Sequence, residues 1–271
     1  MDEKRRNWKT VGPDKGGSKA MDDRMIVVYA ASRNLYPWLP MAYMSLLKHN
    51  PEAAVVCLIE DDELPYEVPR NVGFVNVSGQ EWFGEDCVNI KTSFTYLSLM
   101  RVCYTKLFPG YDRVLQLDVD TCVTDSLMPI WKIDMDGKYF AAAPEHLSKW
   151  KPYGSGKYYN AGVCLFNLKQ MREDGADDKL IEFLNRNKVP YIDQDAINWL
   201  NAEMGGTKAV DLGIRYNECF VTGESLRPAV VHAAGCRNWF VNLDEQYRGS
   251  YWKPYEQYCQ VEACRAAGIH C

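Results

Sequence analysis

Short β-branched, apolar runs alternate with helical patterns from residue 25 onward, and no other feature of this chain limits its possible folds so strongly. The runs predict strands over 25–31, 54–59, 72–77, 114–117, 140–143, 163–166 and 230–232. Helical periodicity predicts helices over 39–49, 92–108, 178–187 and 194–202. Strands with near-continuous apolar character belong in a sheet covered on both faces, and strand–helix alternation makes such a sheet mostly parallel. The expectation is an α/β domain over 25–250, preceded by a flexible tail over 1–24 and followed by a C-terminal extension over 251–271. In sheets of this kind ligands bind beyond the carboxyl ends of the strands.

Those strand ends carry the most informative residues. In Tyr-Asp-Arg-Val-Leu-Gln-Leu-Asp-Val-Asp-Thr (111–121) a strand ends on Asp118 and Asp120, separated by Val119. Hard divalent cations take oxygen ligands and share their remaining positions with phosphate, so an Asp-x-Asp at a crevice suits a metal–diphosphate complex. Two turn aspartates after an ordinary strand give the same pattern. His232 ends another strand and could complete a mixed nitrogen and oxygen site of the kind Mn²⁺ accepts, or serve as a hydrogen-bonded core histidine. Arg101 is the sole charge between Thr92 and Thr105 and falls on an apolar helical stripe with Phe94, Leu97, Tyr104 and Phe108. A buried guanidinium needs a partner, either a carboxylate of the protein or an anionic ligand. Asn160 and the following glycine sit at a strand start, where a hydroxylated ligand could approach closely. Asp193 and Gln194 open a helix, and Asp193 also suits an N-cap.

Composition removes several function classes. With 31 Lys and Arg against 36 Asp and Glu, the net charge is −5, which provides no basic footprint for nucleic acid. No apolar run approaches the ~20 residues needed to span a bilayer, and no secretory h-region follows the charged N-terminus. The expectation is a cytoplasmic protein that could lie peripheral to a membrane. Ten cysteines lie mostly inside apolar runs, as reduced thiols do, apart from the C-terminal group Cys259, Cys264 and Cys271; none shows zinc-site spacing. No GxGxxG or GxxxxGK[ST] loop occurs, which removes dinucleotide and P-loop readings.

Taken in order, seven segments resemble the retaining glycosyltransferases of family 8. They are Tyr-Ala-Ala-Ser-Arg-Asn (29–34), the helix bearing Arg101, Leu-Asp-Val-Asp (117–120), Ala-Ala-Ala-Pro-Glu (141–145), Tyr-Asn-Ala-Gly-Val (159–163), Asp-Gln-Asp-Ala-Ile-Asn (193–198) and His-Ala-Ala-Gly-Cys-Arg-Asn-Trp (232–239). The resemblance implies a GT-A fold: a Rossmann-like α/β domain with a central mixed, mostly parallel sheet flanked by helices. It implies a UDP-sugar donor, a carbohydrate or other hydroxyl acceptor, and Mn²⁺ (or Mg²⁺) held by Asp118, Asp120 and His232. Ala30, Ala31 and Asn34 would line the uridine pocket. Val119, Glu145, Gly235 and Arg237 would complete the donor site, with Arg237 near the diphosphate. Arg101, Asn160, Asp193 and Gln194 would surround the donor sugar, and Gln194 is the family's disputed candidate for stabilising the anomeric centre.

Two departures stand out. Ser32 occupies a position where many members carry an acid that reads the uracil ring, and Cys-Arg-Asn-Trp (236–239) replaces the common Pro-x-Lys-Pro-Trp. A haloacid-dehalogenase-type phosphatase also uses a strand followed by Asp-x-Asp, with the first Asp as nucleophile. Its motif, however, normally follows the first strand, whereas three strand candidates precede Asp118 here. A non-catalytic sugar-nucleotide-binding module of the same fold is the other alternative, and retention of every expected metal ligand argues against it.

Overall fold

The structure is a computed structural model that describes residues 24–91, 96–145, 153, 156–219, 227–235 and 249–269. Strands β1 (Ile26–Ala30), β2 (Ala54–Ile59), β3 (Val72–Asn76) and β4 (Arg113–Leu117) form the parallel half of a seven-stranded sheet. A three-stranded sheet beside it contains β5 (Thr121–Val123). Strands β6 (Phe140–Pro144), β7 (Tyr159–Asn167) and β8 (Ala209–Asp211) complete the large sheet in the order β3-β2-β1-β4-β7-β6-β8. Only β7 runs against its neighbours β4 and β6, so the sheet is mixed and mostly parallel. Every residue of β2 is buried, in keeping with its uninterrupted apolar sequence. The small sheet is completed by β9 (Glu218–Cys219) and β10 (Val230–His232), with β10 in its middle.

Strand order reverses between β1 and β4. Chain segments leaving the carboxyl ends of these two strands diverge and leave a crevice, which is where open α/β sheets place ligands. Because β7 is antiparallel to β4, its first residues rather than its last reach this edge. The register Leu117↔Val163 puts Tyr159–Gly162 beside the residues that follow β4.

Helix α1 (Leu39–His49) starts with Pro40 in its first turn and buries Leu39, Met41, Ala42, Tyr43 and Leu46. Its Ser45 hydroxyl donates to Ala42 O (2.7 Å) and accepts from Val123 N–H (2.9 Å), which ties the helix to β5.

The helix expected over 92–108 is not continuous. Residues 92–95, with Phe94, lie outside the described residues, and the remainder forms two single turns, α2 (Leu97–Met100) and α3 (Tyr104–Leu107). The break follows from a competing acceptor. Thr105 donates both its N–H (2.9 Å) and its hydroxyl to the Asp177 carboxylate, so its N–H is lost to the α-helical ladder. Asp177 itself lies on α6, below.

Helix α4 (Met128–Trp131) lies between β5 and β6, and α5 (Leu168–Glu173) and α6 (Ala176–Arg186) follow β7. Helix α7 (Ile192–Glu203) starts two residues earlier than its periodicity predicts. Beyond residue 250, Trp252, Tyr255 and Cys264 are buried in the core, and Gln260 N–H donates to Pro37 O (3.0 Å) just ahead of α1. The C-terminal segment therefore packs on the domain. Cys57, Cys87, Cys103, Cys122 and Cys164 carry buried free thiols, and burial raises those of Cys57 and Cys164, as expected of inert core groups. No helix among the described residues is long and apolar enough to cross a membrane.

Candidate active site

Asp118 and Asp120 follow β4 at the point of strand reversal. Asp118 N–H donates to Gly162 O (2.8 Å), so the Asp-x-Asp segment continues alongside β7 for one more residue before turning into β5. The intervening Val119 is buried in the core. The antiparallel pairing His232↔Thr121 brings the end of β10 alongside, and Ala233 N–H donates to Asp120 O (2.9 Å). His232 Nε2 then lies 3.2 Å from Asp120 Oδ1 and 3.5 Å from Asp118 Oδ2.

These three side chains each offer one ligand atom, all within 4.8 Å of one another. The imidazole is 4% exposed, but the carboxylates are 27% and 23% exposed, so the cluster is closed behind and open toward the crevice. One nitrogen and two carboxylates with an open side match the donor set that Mn²⁺ or Mg²⁺ takes while sharing positions with phosphate oxygens. Burial pulls the imidazole's pKa down, but Asp120 and Asp118 outweigh it and raise it well above its ordinary value. Asp118 shows the converse: burial pushes it up, and Arg101 with His232 holds it at about 2. A site that attracts a proton this strongly is also suited to another cation.

Arg101, in the bend after α2, spans two carboxylates. One Nη contacts Asp118, and Nε lies 3.2 Å from Asp193 Oδ2. Burial raises Asp193 to about 6, against the opposing pull of Arg101. Asp193 is not an N-cap: Tyr191 holds that position, and its N–H is satisfied by Asp195 Oδ2 (2.7 Å) instead. The turn into α7 is tight, and Ile192 has φ = 27°, the sole positive value outside glycine among the described residues. That strain, about 1–3 kcal/mol, sits where the chain directs Asp193 and Gln194 inward.

Gln194 Oε1 accepts from Ala161 N–H (3.0 Å). One turn later Asn198 docks α7 onto the start of β7, accepting from Tyr159 N–H (2.7 Å) and donating to Tyr159 O (2.8 Å). Asn160 Nδ2 donates to Glu145 Oε2 (2.7 Å), which follows the end of β6. Asn217, which precedes β9, links Asn160 to His232. The docking roles of Asn198 and Asn217 escape a reading of the sequence because Tyr159, Asn160 and His232, the partners they hold, lie 39, 57 and 15 residues away.

At the ends of β1 and β2 a separate open cleft of about 890 Å³ is lined by Ser32, Arg33 and Asn34, by the acidic run Glu60–Glu63, and by Ala267, Gly268 and Ile269. Ser32 Oγ donates to Asn34 Oδ1 (2.6 Å), and Arg33 pairs with Asp61 (2.6 Å). Ala30 is half-buried and Ala31 fully buried, and neither lines this cleft. Gly235 turns the chain after β10 with φ = 73°. Arg237 lies outside the described residues.

The family model for glycosyl transferase family 8 matches residues 26–226. A putative glycosyltransferase of Haemophilus influenzae is 26% identical over 196 residues, covering 64% of this chain, and the chain spans 58% of that relative's length. General stress protein A of Bacillus subtilis is 23% identical over 273 residues, covering 85% of this chain and 93% of its own. Among solved structures, LgtC matches in two crystal structures: an active-site mutant (TM-score 0.71, 20% identity, 86% of this chain and 95% of that one) and the galactosyltransferase in complex with donor and acceptor sugar analogues (TM-score 0.65, 22% identity, 89% and 96%). At that identity the likeness speaks for the GT-A-like fold. With the family match spanning every element from β1 to β9 and the acidic pair standing at the strand reversal, the chain belongs to glycosyl transferase family 8.

Proposed function

We propose that the chain transfers a hexosyl group from a UDP-sugar to a hydroxyl of a carbohydrate acceptor, with retention of anomeric configuration and with Mn²⁺ (or Mg²⁺) as cofactor. The observation that carries this reading is the convergence of Asp118, Asp120 and His232 at the strand reversal, open on the side of the crevice. These three residues would hold the metal, which when bound supplies Lewis-acid stabilisation of the charge that develops on the departing diphosphate.

The remaining roles fall to the chain's own side chains. Arg101, fixed between Asp118 and Asp193, keeps both carboxylates oriented and adds positive potential beside the donor. Glu145 and Asn160 form a hydrogen-bonded acceptor–donor pair at the crevice edge, suited to sugar hydroxyls. Gln194 has its carbonyl oxygen tied to Ala161 N–H, which fixes the amide and holds it against the start of β7. Ser32, Asn34 and the cleft around them would receive the nucleoside. The position of Asp118 after the fourth strand of the sheet also disfavours the phosphatase reading, whose nucleophile follows the first strand of its domain.

The test is release of UDP from a panel of UDP-sugars with and without Mn²⁺, in wild type and Asp120→Ala. Metal-dependent release from one donor, reduced at least a hundredfold by the substitution, is the expected result. Full activity and unchanged metal dependence in Asp120→Ala would overturn the metal assignment, and UDP binding with no release from any donor would favour a binding module.

A further inference from the structure

We propose that Asn217 is a positioning residue that fixes which nitrogen of His232 faces Asp118 and Asp120, and that it ties this choice to the amide of Asn160. The inference rests on the metal-binding reading above and goes beyond it by assigning a residue outside the cluster.

The argument starts from a group whose role has no ambiguity. Gly162 N–H can only donate, and it does so to Asn160 at 2.9 Å, so the atom it reaches is the amide oxygen. That same oxygen lies 2.8 Å from the Asn217 amide, and the Asn217 atom facing it must therefore be the NH₂ group. The Asn160 NH₂ is then the group that meets Glu145 Oε2 at 2.7 Å, consistent with a carboxylate acceptor.

With its NH₂ committed, Asn217 turns its oxygen toward His232 Nδ1 at 2.8 Å. An amide oxygen only accepts, so Nδ1 carries a hydrogen. The remaining nitrogen, Nε2, faces Asp120 and Asp118 at 3.2 and 3.5 Å and is the one that can offer a lone pair to a cation. A single backbone N–H thus sets two amides and one imidazole in series.

Packing leaves the arrangement little freedom. Asn217 is 1% exposed, His232 3% and Asn160 7%, so solvent does not substitute for any member. A Cβ at Gly162 would overlap His232 Cε1 and crowd Nδ1 and Asn160 Oδ1, so the ring also has no room to turn toward β7. The Cys219 thiol approaches the same Asn217 oxygen at 3.9 Å, a far weaker donor than the imidazole. Outer partners that orient a ligating histidine commonly govern metal affinity by one to two orders of magnitude.

The experiment is a Mn²⁺ titration of nucleotide-free protein, following the free-ion electron paramagnetic resonance signal, with ¹⁴N modulation from the bound ion as a signature of imidazole ligation. Asn217→Ala should bind Mn²⁺ about 10–100-fold more weakly and lose the ¹⁴N modulation. Asn217→Asp keeps an acceptor for Nδ1–H while losing the donor to Asn160, and should bind at least as tightly as wild type with the modulation retained. Equal affinity in Asn217→Ala, within twofold and with unchanged modulation, overturns the role. If Asn217→Ala fails to fold, Asn217→Asp decides, and a tenfold loss there overturns it. Wild type that binds no Mn²⁺ overturns the metal reading and this role together, whereas wild-type binding with indifferent variants overturns this role alone.

Discussion

Gly162 and Arg101 show how narrowly individual residues are constrained at this site. The only side chain small enough beside the His232 ring is a hydrogen, so Gly162→Ala must displace the imidazole or the start of β7. Overpacking of this kind costs about 1–3 kcal/mol, and Mn²⁺ affinity should fall along with stability. Urea unfolding and a Mn²⁺ titration on the same preparation check both. Arg101 has the opposite problem, since it neutralises two carboxylates that burial alone would raise. Arg101→Leu leaves Asp193 without its cation and Asp118 with His232 alone, and should destabilise the fold by about 3 kcal/mol. Arg101→Lys keeps the charge but cannot reach Asp118 and Asp193 with separate nitrogens of a planar fork, and should recover only part of that loss.

Between elements, two polar contacts decide where helices dock. Asn198 reaches both the N–H and the C=O of Tyr159, fastening α7 to β7 one turn beyond Gln194. Asn198→Ala leaves two buried backbone groups without partners and should cost about 2 kcal/mol in chemical unfolding. Asp177 fastens α6 to α3 through Thr105, and burial raises its carboxyl to about 6 from an ordinary value near 3.8. A raised native pKa means that the folded protein holds this proton more tightly than the unfolded chain. Its contribution is therefore fully present below about pH 4 and is lost as pH rises through about 6. Asp177→Asn preserves an oxygen for both Thr105 donors without titrating. Relative to this variant, wild type should lose stability between pH 4 and 6 and change little above pH 7, as urea unfolding across that range would show.

At the scale of the whole molecule, the C-terminal segment belongs to the same body as the cleft. Ala267, Gly268 and Ile269 line the cleft together with Ser32–Asn34, and Cys264 is buried in the core. Removing residues 260–271 should weaken UDP binding by about an order of magnitude in isothermal titration while leaving nucleotide-free Mn²⁺ affinity unchanged, because the metal cluster is built from β4 and β10. Loss of Mn²⁺ binding in the truncated chain would show instead that the segment supports the whole fold. The burial of Cys264, which the truncation removes, makes some loss of thermal stability expected as well.

Local pattern was enough to find most strands of the large sheet, α1, α6 and α7, and the residues at strand ends with the chemistry of a metal site. Hydrophobic periodicity and residue type are carried by neighbours in the chain, and burial in a covered sheet imposes them strand by strand. The short strands β5, β8 and β9 were not legible, since each mixes polar with apolar residues and lacks an apolar run like that over 229–231, which marks the equally short β10. The break between α2 and α3 was hidden because its cause, Asp177, lies 72 residues from Thr105. Asp193 looked like a cap because its partner Arg101 comes from a different element. The antiparallel placement of β7, which brings Asn160 and Gly162 to the acidic pair, depends on strand order, and strand order is a property of the assembled sheet. Hydrogen bonds such as those that link Asn217 with Asn160 and with His232 exist only after that assembly, when exclusion of water makes each unpaired amide costly and leaves few arrangements that satisfy them all.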